Sequence, residues 1–147
     1  MKKVICGIAL TLCATTAVAA KMGFEKADEA IAYRQAVYGL MATNFGDLAA
    51  QVQGKKAFDA AVAEKRIANV AALSHMPWEA FIPGSDKGDS EATSKVWSDP
   101  VAFEKARQEF VQAVEMLKST PVTADALGPA VAAVGKTCKA CHSDFKS

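Results

Sequence analysis

The sequence predicts an all-α protein, folded as an antiparallel, up-down-up-down four-helix bundle. Four segments carry apolar residues at helical spacing, and no segment alternates apolar and polar residues over a useful length. Two of the three connections are short, and short connections make consecutive helices antiparallel neighbours. The chain of 147 residues, 51% of them hydrophobic, is long enough for one domain with its own core.

The first helix is predicted from about Glu25 to Ala50. Its apolar face contains Ile31, Tyr38, Met41 and Phe45, at spacings of seven, three and four residues. This is the repeat of one face of an α-helix.

Prolines delimit the second and third helices. The second runs from Lys56 to about His75 and ends before Pro77, which cannot continue a helix. The third begins at SDP, where Asp99 is a plausible N-cap and Pro100 suits the first helical position. Its apolar face reads Phe103, Ala106, Phe110, Ala113 or Val114, and Leu117, and it ends at Pro121.

The fourth helix opens near Thr123 and carries a narrow apolar seam. The seam consists of Leu127, Val131, Val134, Cys138, Cys141 and Phe145. Its spacings of four and three residues alternate as in a heptad repeat. Because Pro129 lies within the first two turns, a regular helix beginning at Leu127 or Gly128 is the alternative.

Residues 1–20 are predicted to be a secretory signal peptide. Two lysines precede an apolar run, and the small residues TTAVAA end the segment, with cleavage expected after Ala19 or Ala20. The run is too short to span a bilayer. A lipid-attachment signal is the less favoured alternative, because the Leu before Cys13 is bulky where such signals need a small residue. Residues 21–147 are then the single mature domain.

The mature chain carries almost no net charge. Loss of Lys2 and Lys3 leaves 15 basic against 16 acidic residues, a formal charge of −1. No basic field remains to attract nucleic acid or anionic lipid, so neither a nucleic-acid partner nor a membrane is predicted.

The only cysteines of the mature chain lie in the sequence Cys138-Lys-Ala-Cys141-His142. This is the attachment signature of c-type haem. Two thiols three residues apart on a helix can each add to one vinyl group of the porphyrin, and the adjoining histidine then faces the iron. We therefore predict one covalent haem c per chain, with His142 as axial ligand.

Three other kinds of site compete for this motif. A thioredoxin-like pair is expected at a helix N-terminus after a strand, whereas this pair lies near a helix C-terminus. A zinc site needs a fourth ligand, and His75 is the only other histidine. A disulfide between Cys138 and Cys141 would close a small, strained loop.

Arg34 lies inside the apolar stripe of the first helix, three residues after Ile31 and four before Tyr38. An arginine at the edge of a core can extend to solvent. A haem, however, brings two propionates, and arginine pairs well with carboxylates. In the bundle, Arg34 and Tyr38 lie near the end of the fourth helix, so we expect Arg34 to meet a propionate.

The sixth coordination position of the iron decides the class of haem protein, because a protein ligand there would make a low-spin electron carrier. The candidate ligands are Met22, Met41, Met76, Met116 and His75. Met41 faces inward but fills the core without any need for iron. Tyr38 lies at the expected height, and a neutral phenol with a pKa of about 10 is a poor ligand. We therefore predict five-coordinate ferrous iron, covered by Tyr38 and apolar groups.

Four stretches of the mature chain resemble one family of haem proteins. They are YRQAVYGLMATNFG (33–46), MPWEAFIPGSDKG (76–88), VWSDP (96–100) and VGKTCKACHSDFK (134–146). These residues resemble cytochrome c′, the high-spin class II c-type cytochromes, over essentially the whole mature chain.

The resemblance implies a role for each matching residue. Cys138 and Cys141 would hold the haem, His142 would be the proximal ligand on the solvent side, Arg34 would pair with a propionate, and Tyr38 would be distal. Further implied pocket residues are Gln35, Met41, Trp78, Phe81 and Lys146. Simple core packing is the alternative for the two aromatic residues of this set. The lysine stands where the family often has an arginine, and it lacks the planar fork of a guanidinium.

The resemblance also implies a function. Such proteins are periplasmic homodimers that bind nitric oxide, and carbon monoxide when ferrous, in nitric oxide detoxification or in electron transfer with a redox partner protein. A simple electron shuttle with no physiological gas ligand is the alternative. No acid–base constellation is visible in the sequence, so no enzymatic activity is predicted.

Overall fold

The computed structural model describes residues 23–147, which form four long helices and two short ones. The long helices are α1 (Ala27–Val52), α2 (Ala60–Leu73), α4 (Pro100–Lys118) and α5 (Ala124–Phe145). A 3-10 turn (Pro77–Ala80) and the single-turn helix α3 (Lys95–Ser98) lie in the connection between α2 and α4. The predicted signal peptide and Met22 lie outside the described residues.

The four long helices form an antiparallel bundle, so the predicted fold class is confirmed. Helix α1 packs against α2 and α5, and α4 packs against the same two helices. Contacts between α1 and α5 run in opposite directions along the two helices. Tyr38 shares a cavity with Cys141, whereas Phe45, seven residues further along α1, lies next to Gly135, six residues earlier on α5. The early part of α1 therefore lies beside the end of α5, as the topology predicted.

Side-chain caps set where the helices begin. The carboxylate of Asp99 accepts a hydrogen bond from the amide of Ala102 at 3.2 Å, which confirms the predicted start of α4. Helix α2 begins four residues later than predicted, because Asp59 caps it by accepting from the amide of Val62. Thr123 caps α5, which therefore starts before the alternative position at Leu127 or Gly128. Pro129 is accommodated inside the helix, so the alternative start is wrong.

The core lies along the bundle axis and is made by all four long helices. Its fully buried large side chains are Leu48, Val70, Val114, Leu117, Leu127 and Val134. Most of them belong to the apolar stripes read from the sequence, since a stripe at helical period must face the neighbouring helices.

The connection between α2 and α4 is ordered by contacts with other elements. The 3-10 turn packs against α1. An isolated β-bridge joins Ala92 to Lys146, and the amide of Thr93 donates to the carbonyl of Phe145 at 2.9 Å. The long polar stretch thus lies between the start of α1 and the end of α5, beside the cavity described below.

Within residues 23–147, no helix is both long and apolar enough to cross a membrane.

Candidate functional site

A cavity of about 610 Å³ opens between the middle of α1 and the second half of α5. It also reaches the 3-10 turn and the first half of α4. All the site residues predicted from the sequence line it: Arg34, Gln35, Tyr38, Met41, Trp78, Phe81, Cys138, Cys141, His142 and Lys146. The volume lies within the range of roughly 300–1,000 Å³ that is typical of ligand pockets.

Helix α5 brings two thiols and an imidazole to one side of the cavity. Cys138 and Cys141 are half-buried and are not joined in a disulfide. Burial raises the pKa of Cys138, and burial followed by the nearby Cys138 raises the pKa of Cys141 to about 11. Both thiols are therefore protonated at neutral pH, unlike the thiolate of a thioredoxin-like site.

His142 follows the second thiol and is exposed to solvent at the rim of the cavity. Partial burial, followed by the positive charge of Lys146, lowers the pKa of this imidazole below its usual value. The ring is therefore neutral at pH 7, which is the form that can donate a nitrogen lone pair to a metal.

The zinc alternative finds no support in the arrangement of side chains. Among residues 23–147, no three His, Cys, Asp or Glu side chains cluster closely enough to hold a metal ion. His75 pairs instead with Glu115, at 3.7 Å between Nε2 and Oε1, on the surface between α2 and α4.

Tyr38, Trp78 and five phenylalanines contribute aromatic rings to the apolar wall of the cavity. Trp78 lies at its centre, with its ring centroid 6.4 Å from that of Tyr38 in an edge-on arrangement and 6.3 Å from that of Phe81. The indole of Trp78 donates to the carbonyl of Ser74 at 2.6 Å, which fixes the ring where the chain leaves α2. Trp78 thus contacts both the cavity and the core, whereas Phe81 lines the cavity and packs against Trp78 and Phe103.

The Tyr38 phenol faces the cavity from α1. Its pKa is raised, mainly by burial and secondarily by the neighbouring Cys141. The phenol is therefore neutral over the whole physiological pH range, as an uncharged distal group would be.

Arg34 is buried, with 4% of its surface exposed, so the alternative in which it extends to solvent is wrong. Its Nη1 donates to the carbonyl of Ala80 at 3.0 Å and to the hydroxyl of Ser85 at 2.7 Å. Its Nη2 donates to the carbonyl of Ser85 at 2.5 Å and to the hydroxyl of Ser90 at 2.6 Å. The guanidinium carbon also lies 4.8 Å from the centroid of the Phe81 ring.

No carboxylate of residues 23–147 lies within ion-pair distance of Arg34, although this side chain lines the cavity. Burial lowers its pKa, but a guanidinium remains charged at neutral pH. The cavity wall therefore contains a buried positive charge that neutral acceptors alone stabilise, and its pairing with a propionate stays a prediction.

The remaining predicted pocket residues lie around the rim or in the core. Gln35 donates from Nε2 to the carbonyl of Asp89 at 2.8 Å, so it holds the polar connection against α1. Met41 is buried in the main apolar cluster. Lys146 forms an exposed ion pair with Glu91, at 3.2 Å between Nζ and Oε1.

The methionine and histidine side chains considered as a sixth ligand are widely separated. Of those within residues 23–147, Met41 alone lines the cavity. Met76 and Met116 are exposed, the latter by 68%, and His75 points to the surface pair described above. Met22 lies outside the described residues.

Sequence reasoning missed several residues of the cavity wall. Phe103 and Phe110 were assigned only to the apolar face of the third helix, and Phe145 only to the seam of the fourth. Periodicity identifies an inward face but does not distinguish packed core from cavity wall. Glu91 was missed because it lies in a polar stretch without periodicity.

The residues that line this cavity fit a haem c. A flat apolar macrocycle needs an apolar, aromatic-lined slot, and its carboxylates need a cation such as Arg34. The groups that would attach the haem and bind its iron are also present, because two protonated thiols at a three-residue spacing and one neutral imidazole lie on the same stretch of α5.

The chain matches known proteins along most of its length. The model of the family Cytochrome C′ matches residues 29–146. The cytochrome c′ of Rubrivivax gelatinosus is 45% identical over 126 residues, which cover 84% of this chain and 98% of that protein. The solved structure of cytochrome c prime from Shewanella frigidimarina superposes with a TM-score of 0.80 at 45% identity, covering 85% of this chain and 99% of that one.

A third relative has been solved with gases bound. Variants of cytochrome c prime from Alcaligenes xylosoxidans carry carbon monoxide in one structure and, in the ferrous state, nitric oxide in another. The nitric oxide structure superposes with a TM-score of 0.79 at 35% identity and covers 84% of this chain and 98% of that one. With the family model, the sequence identity and the fold in agreement, the chain belongs to the cytochrome c′ family, whose members carry haem c attached through cysteines.

Proposed function

We propose that this haem protein binds nitric oxide and carbon monoxide at five-coordinate iron, after export to the periplasm. Cys138 and Cys141 attach the haem through thioethers, and His142 is the axial ligand. The observation that carries the proposal is one cavity bordered by these three residues on α5 and by the neutral Tyr38 on α1. When bound, the haem supplies an iron atom with one coordination position available to a diatomic gas.

The side chains around the cavity select what reaches that position. Tyr38, Trp78 and Phe81 make the wall aromatic and largely apolar, which disfavours charged or strongly hydrated ligands. Tyr38 does not compete as a ligand, because burial keeps its hydroxyl protonated. The same hydroxyl can donate one hydrogen bond to a bound diatomic molecule.

Met41 is the residue whose role needs a direct control, since it is the one other potential ligand among the described cavity residues. Its burial in the apolar cluster supports a packing role. A Met41→Leu variant, which keeps nearly the same volume, is expected to leave the absorption spectrum unchanged. Loss of a low-spin spectrum in this variant would instead identify Met41 as the sixth ligand.

Nitric oxide binding and detoxification is the proposed physiological role. The gas-bound structures of the Alcaligenes xylosoxidans relative support it, because that protein shares the fold and about a third of its residues with this chain. Electron transfer with a redox partner is the second candidate, and the exposure of His142 favours it, because electrons could enter at the solvent side of the site.

The export signal and the oligomeric state complete the proposal. Residues 1–20 carry the features of a cleaved signal, and the thioether attachment chemistry suits an exported protein. Leu40 on α1 is 57% exposed and Val62 on α2 is also exposed, so these two helices offer apolar surface for a homodimer. Sedimentation equilibrium of the purified protein would measure the association directly.

The absorption spectrum of the purified protein, reduced and then exposed to carbon monoxide, tests the function. The proposal predicts a high-spin, five-coordinate spectrum that shifts on addition of carbon monoxide. A low-spin, six-coordinate spectrum that carbon monoxide does not change would support the electron shuttle and would exclude the gas-binding role.

A further inference from the structure

We propose that residues 85–95, which we call the strap, position His142 by capping the C-terminus of α5, and that Arg34 and Ser90 hold the strap in place. The inference rests on the proposed function, because it assigns the strap a role at the haem site. It makes Arg34 and Ser90 positioning residues that act on His142 through the backbone of the chain between them.

The end of α5 needs such a cap. A helix leaves its last four carbonyls without partners inside the helix, and many helices satisfy them with a glycine in the left-handed conformation. Here the C-cap residue is Lys146, in an extended conformation with φ −121° and ψ 136°, and the next residue is Ser147 rather than glycine. Without other partners the last turn would fray, and that turn carries His142.

The strap supplies a partner for the last of these carbonyls and pairs with the residues that follow the helix. The carbonyl of Phe145 accepts from the amide of Thr93 at 2.9 Å, and the amide of Ser147 donates to the carbonyl of Glu91 at 2.9 Å. Together with the bridge between Ala92 and Lys146, these bonds form a short antiparallel pairing. Phe145 is buried against Phe103 with 5.2 Å between ring centroids, which keeps the pairing against the bundle.

The pairing is connected to the histidine by the helix itself. The amide of Lys146 donates to the carbonyl of His142 at 3.2 Å, so the last hydrogen bond of α5 joins the capped residue to the proposed axial ligand. Two ion pairs, Lys146 with Glu91 and Lys95 with Asp144, add to the same contact. Both pairs are exposed, so the backbone hydrogen bonds and the burial of Phe145 contribute more than the charges do.

Ser90 joins the strap to α1. Its hydroxyl oxygen accepts from Nη2 of Arg34 at 2.6 Å and from the amide of Ala92 at 3.1 Å. Ala92 is the residue that bridges to Lys146. The buried guanidinium is therefore hydrogen-bonded to Ser90, and Ser90 to Ala92. The residues on either side of Ala92, Glu91 and Thr93, make the hydrogen bonds to the end of α5.

Arg34 suits this role because its charge is buried and both of its Nη atoms donate hydrogen bonds. Hydrogen bonds from a charged donor are stronger than neutral ones, and four of them converge on the 80–90 segment. Removing an acceptor such as Ser90 would leave a buried charge less satisfied, so the strap has one strongly preferred position.

The test compares Ser90→Ala with Ser94→Ala in the haem-loaded protein. Ser94 lies in the same strap, is exposed and caps no helix through its side chain, which makes it a matched control. Two readouts are used: hydrogen exchange of the Thr93 and Ser147 amides, and the iron–histidine stretching band in the resonance Raman spectrum of the ferrous protein. The iron–histidine band reports on the axial histidine and would not respond to a change confined to the surface.

We expect Ser90→Ala to accelerate exchange at both amides by about tenfold and to shift the iron–histidine band, and Ser94→Ala to change neither. Ser90→Thr keeps the hydroxyl and is expected to restore both signals. Arg34→Gln is expected to shift the iron–histidine band in the same direction as Ser90→Ala. Because both residues act through the same contact, the double variant should shift the band no further than the larger of the two single shifts.

An unchanged band in Ser90→Ala, whether or not exchange accelerates, would overturn the proposal, as would a Ser90→Thr variant that behaves like Ser90→Ala. A shift in Arg34→Gln alone would also overturn it, because Arg34 would then act without the strap. If carbon monoxide still binds in these cases, the proposed function stands, whereas failure of the unsubstituted protein to bind carbon monoxide would count against that function alone.

Discussion

Replacing Tyr38 with alanine should increase the rate at which the ferrous protein binds carbon monoxide. The Tyr38 ring lies on the cavity wall, edge-on to Trp78 with 6.4 Å between centroids. An aromatic pair of this kind contributes about 0.5–1.5 kcal/mol beyond its buried area. If the ring must leave Trp78 to admit a ligand, the activation barrier for ligand entry includes this energy. Tyr38→Ala removes it. Because 1.36 kcal/mol corresponds to a factor of ten in rate, the on-rate of the variant should rise roughly 2- to 10-fold.

Flash photolysis of the carbon monoxide complex measures this rate, and two variants separate the causes. Tyr38→Phe keeps the ring, so its on-rate should stay within about twofold of that of the unsubstituted protein. The same variant loses the hydroxyl hydrogen bond to the ligand, worth about 1 kcal/mol, which would raise the off-rate about fivefold. Tyr33→Ala is the control, because Tyr33 packs against Phe24 with 4.9 Å between ring centroids and is not part of the cavity wall. Equal on-rates in Tyr38→Ala and Tyr33→Ala would refute the distal assignment of Tyr38.

Two further predictions concern stability. Leu48 is fully buried in the bundle, so Leu48→Ala should lower the free energy of unfolding in guanidinium chloride by about 2–5 kcal/mol, and a loss below about 1 kcal/mol would mean that the core packs differently. Hydrogen bonds from Lys56 and then Arg66 lower the pKa of Asp47 from 3.8 to about 2. This carboxylate therefore stabilises the fold fully above pH 4, and its contribution is lost as the pH falls towards 2. The stability difference between the unsubstituted protein and Asp47→Asn should shrink over that interval, and a constant difference would contradict the shifted pKa.

The helices and the position of the haem motif could be predicted because they depend on local patterns. The seam of α5 repeats at helical spacing and includes both cysteines, so a single periodicity placed the motif on an inward helix face. The cap at Asp99 followed from the residue type and the proline behind it.

The strap could not be predicted, because its order depends on residues far away in the sequence. Ser85 lies in a polar stretch typical of a surface loop, yet it is fully buried under Arg34, 51 residues earlier in the chain. The sequence identified Arg34 as a charge in an apolar stripe but gave no information about which carbonyls and hydroxyls would meet it. The composition of a segment indicates which of its residues tolerate exposure to solvent. Which of them are buried depends on contacts with residues that are distant in the sequence.

The start of α2 could not be predicted for the same reason, because it also depends on a contact that is distant in the sequence. The Ala-rich pattern continues upstream of Ala60, and nothing in the apolar spacing excludes a helix beginning at Lys56. Asp59 ends that ambiguity by capping the helix, while its own amide donates to the side chain of Gln51 on α1 at 3.0 Å. The tertiary contact fixes the cap, and the cap fixes the helix boundary.

Acid–acetone extraction of the purified protein, followed by mass analysis of its C-terminal peptide, tests covalent haem attachment most directly. We predict that the pigment remains with the polypeptide and that the peptide containing Cys138 and Cys141 carries the added mass of one haem. Extraction of the pigment into the organic phase, or recovery of this peptide with two free thiols, would contradict the assignment of Cys138, Cys141 and His142 to the haem.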